Sequence, residues 1–181
     1  MSRLVLAATL GASYGIYGPA YEACEHRPIA HGKEEYLDSE KYEIKRWDLD
    51  RPDGLRELIT RVNRIRHQNP ALQRDDTLRF HPVDNPQLIC YSKQTDDLSN
   101  VIVVVATLDP YHTQSGWVTL PLDSLGVDPQ RPYQVHDLLG DGYYLWHGPR
   151  NFVQLNPHVV PAHVFRIRHR IRTERDFEYY L

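Results

Sequence analysis

The chain has little of what covalent or metal chemistry needs. Its 181 residues include only two cysteines, Cys24 and Cys90. Neither lies in a CxxC or other metal-ligand spacing, so a thiolate zinc site is not expected. The expectation is two reduced, buried thiols, as in a cytoplasmic protein. The ten histidines are scattered, with no HxH or HExxH pair. No metal and no cofactor are therefore expected. Basic charge is not in excess: 21 Lys and Arg stand against 24 Asp and Glu, a formal net charge of -3. That excludes the electrostatic footprint of a nucleic-acid binder or an acidic-membrane binder. The opening apolar run, within Met1–Gly15, is too short to cross a bilayer. With one arginine, it reads as part of a buried core rather than a leader. What the chain has in quantity is proline (13) and tyrosine (12). Proline breaks regular elements, and tyrosine offers an apolar face with a polar tip. The mixture suits a loop-rich β protein or a sugar-binding one.

Three zones follow. The first, residues 1 to about 50, opens with an apolar helix (Leu4, Val5, Leu6, Ala7, Ala8, Leu10) that lacks a start signal and stops at Gly11. Ser13–Tyr17 then reads as a short strand ended by Gly18-Pro19. Residues 22–48 form a long polar segment with aromatics but little periodicity. A loop of this length inside a domain is usually functional. The second zone is a helix over about Arg51–Gln68, with Pro52 in its first turn. Leu55, Leu58, Ile59, Val62 and Ile65 make its buried stripe. Arg56, Arg61, Arg64 and Arg66 fall mostly on a face expected to be solvated, and Asn69-Pro70 ends the helix.

The third zone is all β. Eight strands are expected: Thr77–His81, Gln87–Ser92, Val101–Leu108, Ser115–Leu120, Tyr133–Asp137, Tyr143–Trp146, Asn151–Leu155 and His163–His169. Turn signals such as Asp84-Asn85-Pro86 and Gly140-Asp141-Gly142 separate them. Short strands at this spacing predict an antiparallel β-sandwich, so the fold class is mainly β. Val101–Val105 is nearly continuous apolar and should be central. Val164–Arg168 alternates, with one face to solvent. A charged tail, residues 170–181, closes the chain. Zone one does not make a domain: a lone Ser13–Tyr17 strand has no parallel neighbours. Met1 is thus expected to be an internal start, with the other strands of a barrel upstream.

The residues Tyr14-Gly15-Ile16-Tyr17-Gly18-Pro19-Ala20-Tyr21-Glu22 resemble the eighth barrel strand of glycoside hydrolase family 13. Together with EEYLDSEKYEIKRWDLD and LRELITRVNRIRHQNPAL, they are similar to the α-1,4-glucan:maltose-1-phosphate maltosyltransferases, from about residue 3 to residue 168. The resemblance implies that residues 1–72 are the last β/α unit of a (β/α)8 barrel: strand eight, an active-site loop and helix eight. Residues 73–169 would be the C domain. Family members move a maltosyl unit from maltose 1-phosphate to an α-1,4-glucan with retention. That needs two carboxyl groups roughly 5 Å apart. In the family these carboxylates precede the eighth strand, so the resemblance implies no catalytic residue here and an inactive isolated chain, dependent on the missing upstream barrel. Loops after barrel strands line the active site. By resemblance, Glu40, Lys41 and Tyr42 are the expected substrate contacts, and Tyr17 and Glu22 close the barrel by packing and hydrogen bonding. The neighbouring acids Glu34, Glu35, Asp38 and Glu43 are read as an exposed polar loop, and His136-Asp137 as non-catalytic. A different class of function stays open: a non-catalytic carbohydrate-binding or barrel-shielding module. In it Trp117, Tyr143, Tyr144 and Trp146 would form a stacking platform.

Overall fold

The computed structural model describes residues 1–37, 44–48 and 50–168. All eight expected strands form: β1 (Arg79–His81), β2 (Leu88–Gln94), β3 (Val101–Thr107), β4 (Gln114–Thr119), β5 (Tyr133–Asp137), β6 (Tyr143–Trp146), β7 (Arg150–Leu155) and β8 (Ala162–Arg168). Six build one sheet in the order β1-β2-β3-β8-β5-β6, and β4 pairs with β7 in a second. Every pairing is antiparallel. The expected sandwich is therefore present.

Strand β3 lies inside the larger sheet and is buried along its whole length. Its side chains alternate between two cores. Val101, Val103 and Val105 face the small sheet, where they meet Val118, Leu120, Val153, Leu155 and Phe165. Ile102, Val104 and Ala106 face the other way, onto Val5, Ala8, Val62, Ile65 and Leu72. The second core belongs to α1 (Ser2–Leu10) and α3 (Arg56–Gln68), which lie across the larger sheet. Burial on both faces explains why this strand reads as an unbroken apolar run. Each buried valine or isoleucine of the strand contributes about 1.5–3 kcal/mol. Strand β8 alternates toward solvent only over its second half. Arg166 and Arg168 are exposed, while Ala162 and Val164 lie under the helices.

Three expectations about the first two zones change. Ser13–Tyr17 is not a strand, and among the described residues nothing pairs with it. A parallel strand draws its hydrogen bonds from neighbours, and no described segment supplies them. The helix after the long loop starts at Arg56, not Arg51, because residues 51–55 are spent on turns. The arginines of α3 are also not simply a solvated face. Arg66 donates to the carbonyls of Ala8, Gly11 (3.0 Å) and Ala12 (2.6 Å), and its guanidinium lies 5.0 Å from the Tyr14 ring centre. It therefore satisfies carbonyls that the end of α1 leaves without partners. Arg61 donates to the Leu138 carbonyl at 2.9 Å and pairs with Asp141. Asn69 and Asn100 complete the junction: Asn100 donates to Asn69 Oδ1 at 2.8 Å and accepts from the Ala71 amide.

Cys90 is buried, as expected of a thiol in a core. Cys24 is exposed, contrary to expectation, at a left-handed turn with φ of 55°. It follows α2 (Gly18–Glu22), next to the buried Ala23. No helix among the described residues is long and apolar enough to cross a membrane.

Candidate functional site

The long loop begins where α2 ends and is closed at its base. Glu22 carbonyl accepts from the Leu55 amide at 2.8 Å, and Ala23 carbonyl accepts from the Arg51 guanidinium at 3.2 Å. Arg51 is itself held by Asp53 at 2.6 Å. The entry and exit of the loop thus sit side by side at the start of α3. Inside, the Ile29 amide donates to Glu35 and the Leu37 amide to Arg27, each at 2.8 Å, and Pro28 bridges to Tyr36. These bonds fold residues 27–37 back on themselves. Tyr36 meets Tyr17 at 5.8 Å between ring centres. Tyr17 precedes α2 and is 53% exposed in this chain.

Charge is organised locally. The Arg27 guanidinium, followed by the Arg27 amide, pulls the Glu25 carboxyl down to about 2. Glu34 and Glu35 are exposed. Lys45 Nζ donates to the Leu37 carbonyl at 3.4 Å and lies 5.4 Å from the Trp47 ring. The expected substrate contacts Glu40, Lys41 and Tyr42 lie outside the described residues, as do Asp38 and Glu43. Their described flanks, Leu37 and Lys45, are joined by that hydrogen bond.

His136 and Asp137 make separate contacts. His136 stacks on Tyr143 at 4.1 Å. Asp137 is buried and accepts from His163 Nδ1 (2.8 Å), the Val164 amide and the Leu139 amide (each 3.1 Å). It is a clamp tying β5 to β8. No three His, Cys, Asp or Glu side chains among the described residues are placed to hold a metal.

The four aromatics considered as a platform are dispersed by the fold. Trp146 is buried against Phe165, 4.9 Å between ring centres. Tyr143 and Tyr144 point to opposite faces of β6, because side chains alternate. Trp117 stands alone of the four on the outside of the small sheet. Its partner there is Phe152, directly across the strand pair and 5.5 Å away edge-on. Arg150 stacks over Trp117 at 5.0 Å and pairs with Asp84 at 3.0 Å. Asp84 also accepts the Trp117 amide at 2.7 Å. Sequence reading missed Phe152, Arg150 and Asp84. The only signal was the outward phase of Asn151–Leu155, and without the strand register it does not point to Trp117.

Residues 80–167 match the family model described as GLGE, C-terminal. Over 91% of its length the chain is 52% identical to the α-1,4-glucan:maltose-1-phosphate maltosyltransferase of Chlorobaculum tepidum and covers 25% of it. The enzyme of that name from Methylacidiphilum infernorum is 48% identical, with 91% of this chain and 25% of the relative aligned. The one from Myxococcus xanthus is 44% identical over 98% of this chain and 26% of the relative. The chain thus spans about a quarter of the length of the relatives it matches. Among solved structures, the maltogenic α-amylase AmyB of Thermotoga neapolitana superimposes with a TM-score of 0.61 at 10% identity, over 92% of this chain and 35% of that one. The α-amylase of Geobacillus thermoleovorans gives 0.56 at 18% identity, over 94% and 34%. These structures share the fold.

Proposed function

We propose that this chain is the C-terminal quarter of an α-1,4-glucan:maltose-1-phosphate maltosyltransferase, a reading supported by the match of residues 80–167 to the GLGE C-terminal family model and by 44–52% identity to relatives of that name. In this reading the complete polypeptide transfers maltosyl from maltose 1-phosphate to an α-1,4-glucan. Residues 1–72 finish the catalytic barrel, and residues 73–169 form the C domain behind it. The retaining chemistry requires a carboxyl nucleophile and an acid/base roughly 5 Å apart. Both are assigned to the upstream part of the polypeptide. The loop between α2 and α3 lines the donor pocket, where Lys41 and Tyr42, with Glu40, hold the maltosyl unit. With both cysteines free, a reducing cytoplasm is the proposed compartment.

One observation carries the reading. Similarity to the maltosyltransferases runs through nearly the whole chain, loop and helices included, and not only through the sandwich. A domain shared merely as a shield would not need the loop. The test is a chimera in which this chain replaces the corresponding quarter of the Chlorobaculum tepidum relative. Phosphate release from maltose 1-phosphate with maltohexaose as acceptor is the readout. The chimera should turn over, the isolated chain should not, and Lys41→Ala or Tyr42→Ala should raise KM for the donor. A folded chimera without turnover refutes the proposal.

A further inference from the structure

The outer face of β4 and β7 departs from the pattern of its own strands. Among the inward positions, Val118, Val153 and Leu155 join the inter-sheet core, and the buried Asn151 donates to the Tyr133 hydroxyl. Most outward positions are polar, as an outer sheet face requires: Ser115, Thr119, Arg150 and Gln154. The central outward pair is Trp117 opposite Phe152, exposed by 42% and 50%. A cross-strand aromatic pair stabilises a sheet, yet half of each ring remains in water. That remainder is a small exposed apolar patch with a polar rim.

The rim is fixed in place before any ligand arrives. Arg150 is held between the Trp117 ring and the Asp84 carboxylate. Asp84 is held in turn by the Trp117 amide. Gly116 permits this arrangement: a Cβ there would come within 2.9 Å of Asp84 Oδ1 and 3.1 Å of Asn85 Cβ. The Trp117 amide, then Arg150, keep the Asp84 carboxyl below its usual range, so it is a charged acceptor at neutral pH. Preorganised groups lose little entropy on binding. Aromatic faces beside a paired carboxylate and guanidinium suit a ligand with apolar ring faces and a belt of hydroxyls. They suit a polyanion poorly, because the single arginine is already neutralised. The face is also separated from α1 and α3 by both sheets, so the helix layer does not cover it.

We propose that Trp117 and Phe152, with the Asp84–Arg150 pair, form a binding site for an α-1,4-glucan chain on the outer face of the small sheet. The choice of glucan rests on the maltosyltransferase reading; the sugar class rests on the geometry. A polymer held here stays with the C domain after its chain end has left any other contact, which raises the local concentration of chain ends.

The test uses the full 181-residue chain, isotopically labelled, with maltoheptaose and cellohexaose as probes. On adding maltoheptaose, the Trp117 indole N–H and the amides around Phe152 and Gln154 should shift in the NMR spectrum. Cellohexaose should shift them far less. Trp117→Ala and Phe152→Ala should weaken binding by about tenfold or more. Trp117→Phe should retain most of it, and Tyr143→Ala, an exposed ring on the larger sheet, should leave it unchanged. The proposal is overturned if the wild-type indole resonance does not move, if cellohexaose moves it equally, if shifts are confined to residues 18–48, or if Trp117→Ala binds normally. The wild-type spectrum decides even where an alanine variant unfolds. Indole shifts beside a chimera that folds but does not transfer would sink the maltosyltransferase reading alone. Transfer by the chimera without such shifts would sink this site alone.

Discussion

Replacing Arg66 by methionine tests how the first helix is held to the rest of the molecule. Methionine keeps an apolar stem of similar reach, so the loss is confined to the guanidinium. That group donates to the Ala8, Gly11 and Ala12 carbonyls, with a weaker contact to Leu72 at 3.5 Å. Hydrogen bonds to a charged donor contribute about 1.5–3 kcal/mol each. They do not add here, because one side chain makes them all and the site is only half-buried, so water recovers part of the loss. The net cost should be about 2–3 kcal/mol. For a chain of this size that lowers Tm by about 4–12 °C. Arg66→Lys should recover less than half, since an ammonium cannot serve several carbonyls in a planar fork. Thermal unfolding followed by circular dichroism gives the first number. Hydrogen exchange in α1 gives its location: the amides of Val5 and Ala8 should lose protection before those of β3. A methionine variant within about 0.5 kcal/mol of wild type would refute the claim that Arg66 ties α1 to α3.

Two further outcomes are expected. His81 is half-buried beside Ser92, 2.7 Å from Nε2 to Oγ, and burial lowers its pKa. The folded state therefore resists protonation. Stability from this site is complete above the unfolded value of about 6.5 and is lost as pH falls through the lower folded value. The denaturation midpoint should fall as the pH drops below about 6.5, and His81→Gln should flatten that slope; an unchanged slope counts against the assignment. In the thiol assay, the native chain should release one equivalent from an aromatic disulfide reagent and a second only on unfolding. Cys24 is exposed, whereas burial pushes the Cys90 thiol up to about 12. Rapid release of both equivalents would mean that the strand carrying Cys90 opens readily.

The local terms were readable from the residues alone. Turn-forming groups such as Asp84-Asn85-Pro86 cut the chain into eight strands close to where the structure has them, because turn chemistry and strand alternation act over a few residues. The stripe of α3 was legible for the same reason: Ile59, Val62 and Ile65 are buried at helical spacing. Family likeness was legible too, from motifs that lie in the loop and in α3. Pairing was not. The sequence carries no register, so Trp117 opposite Phe152, or Asp137 reaching His163, appears only once strands distant in sequence are brought together. Arg66 looked solvated because its partners are backbone carbonyls of another helix, and carbonyls leave no trace in side-chain patterns. Ser13–Tyr17 shows the converse. Its strand-like residues form no strand, since a strand is a relation between segments and none of the described ones supplies its hydrogen bonds. What the residues determined was each element's tendency; what tertiary structure decided was which tendencies found partners.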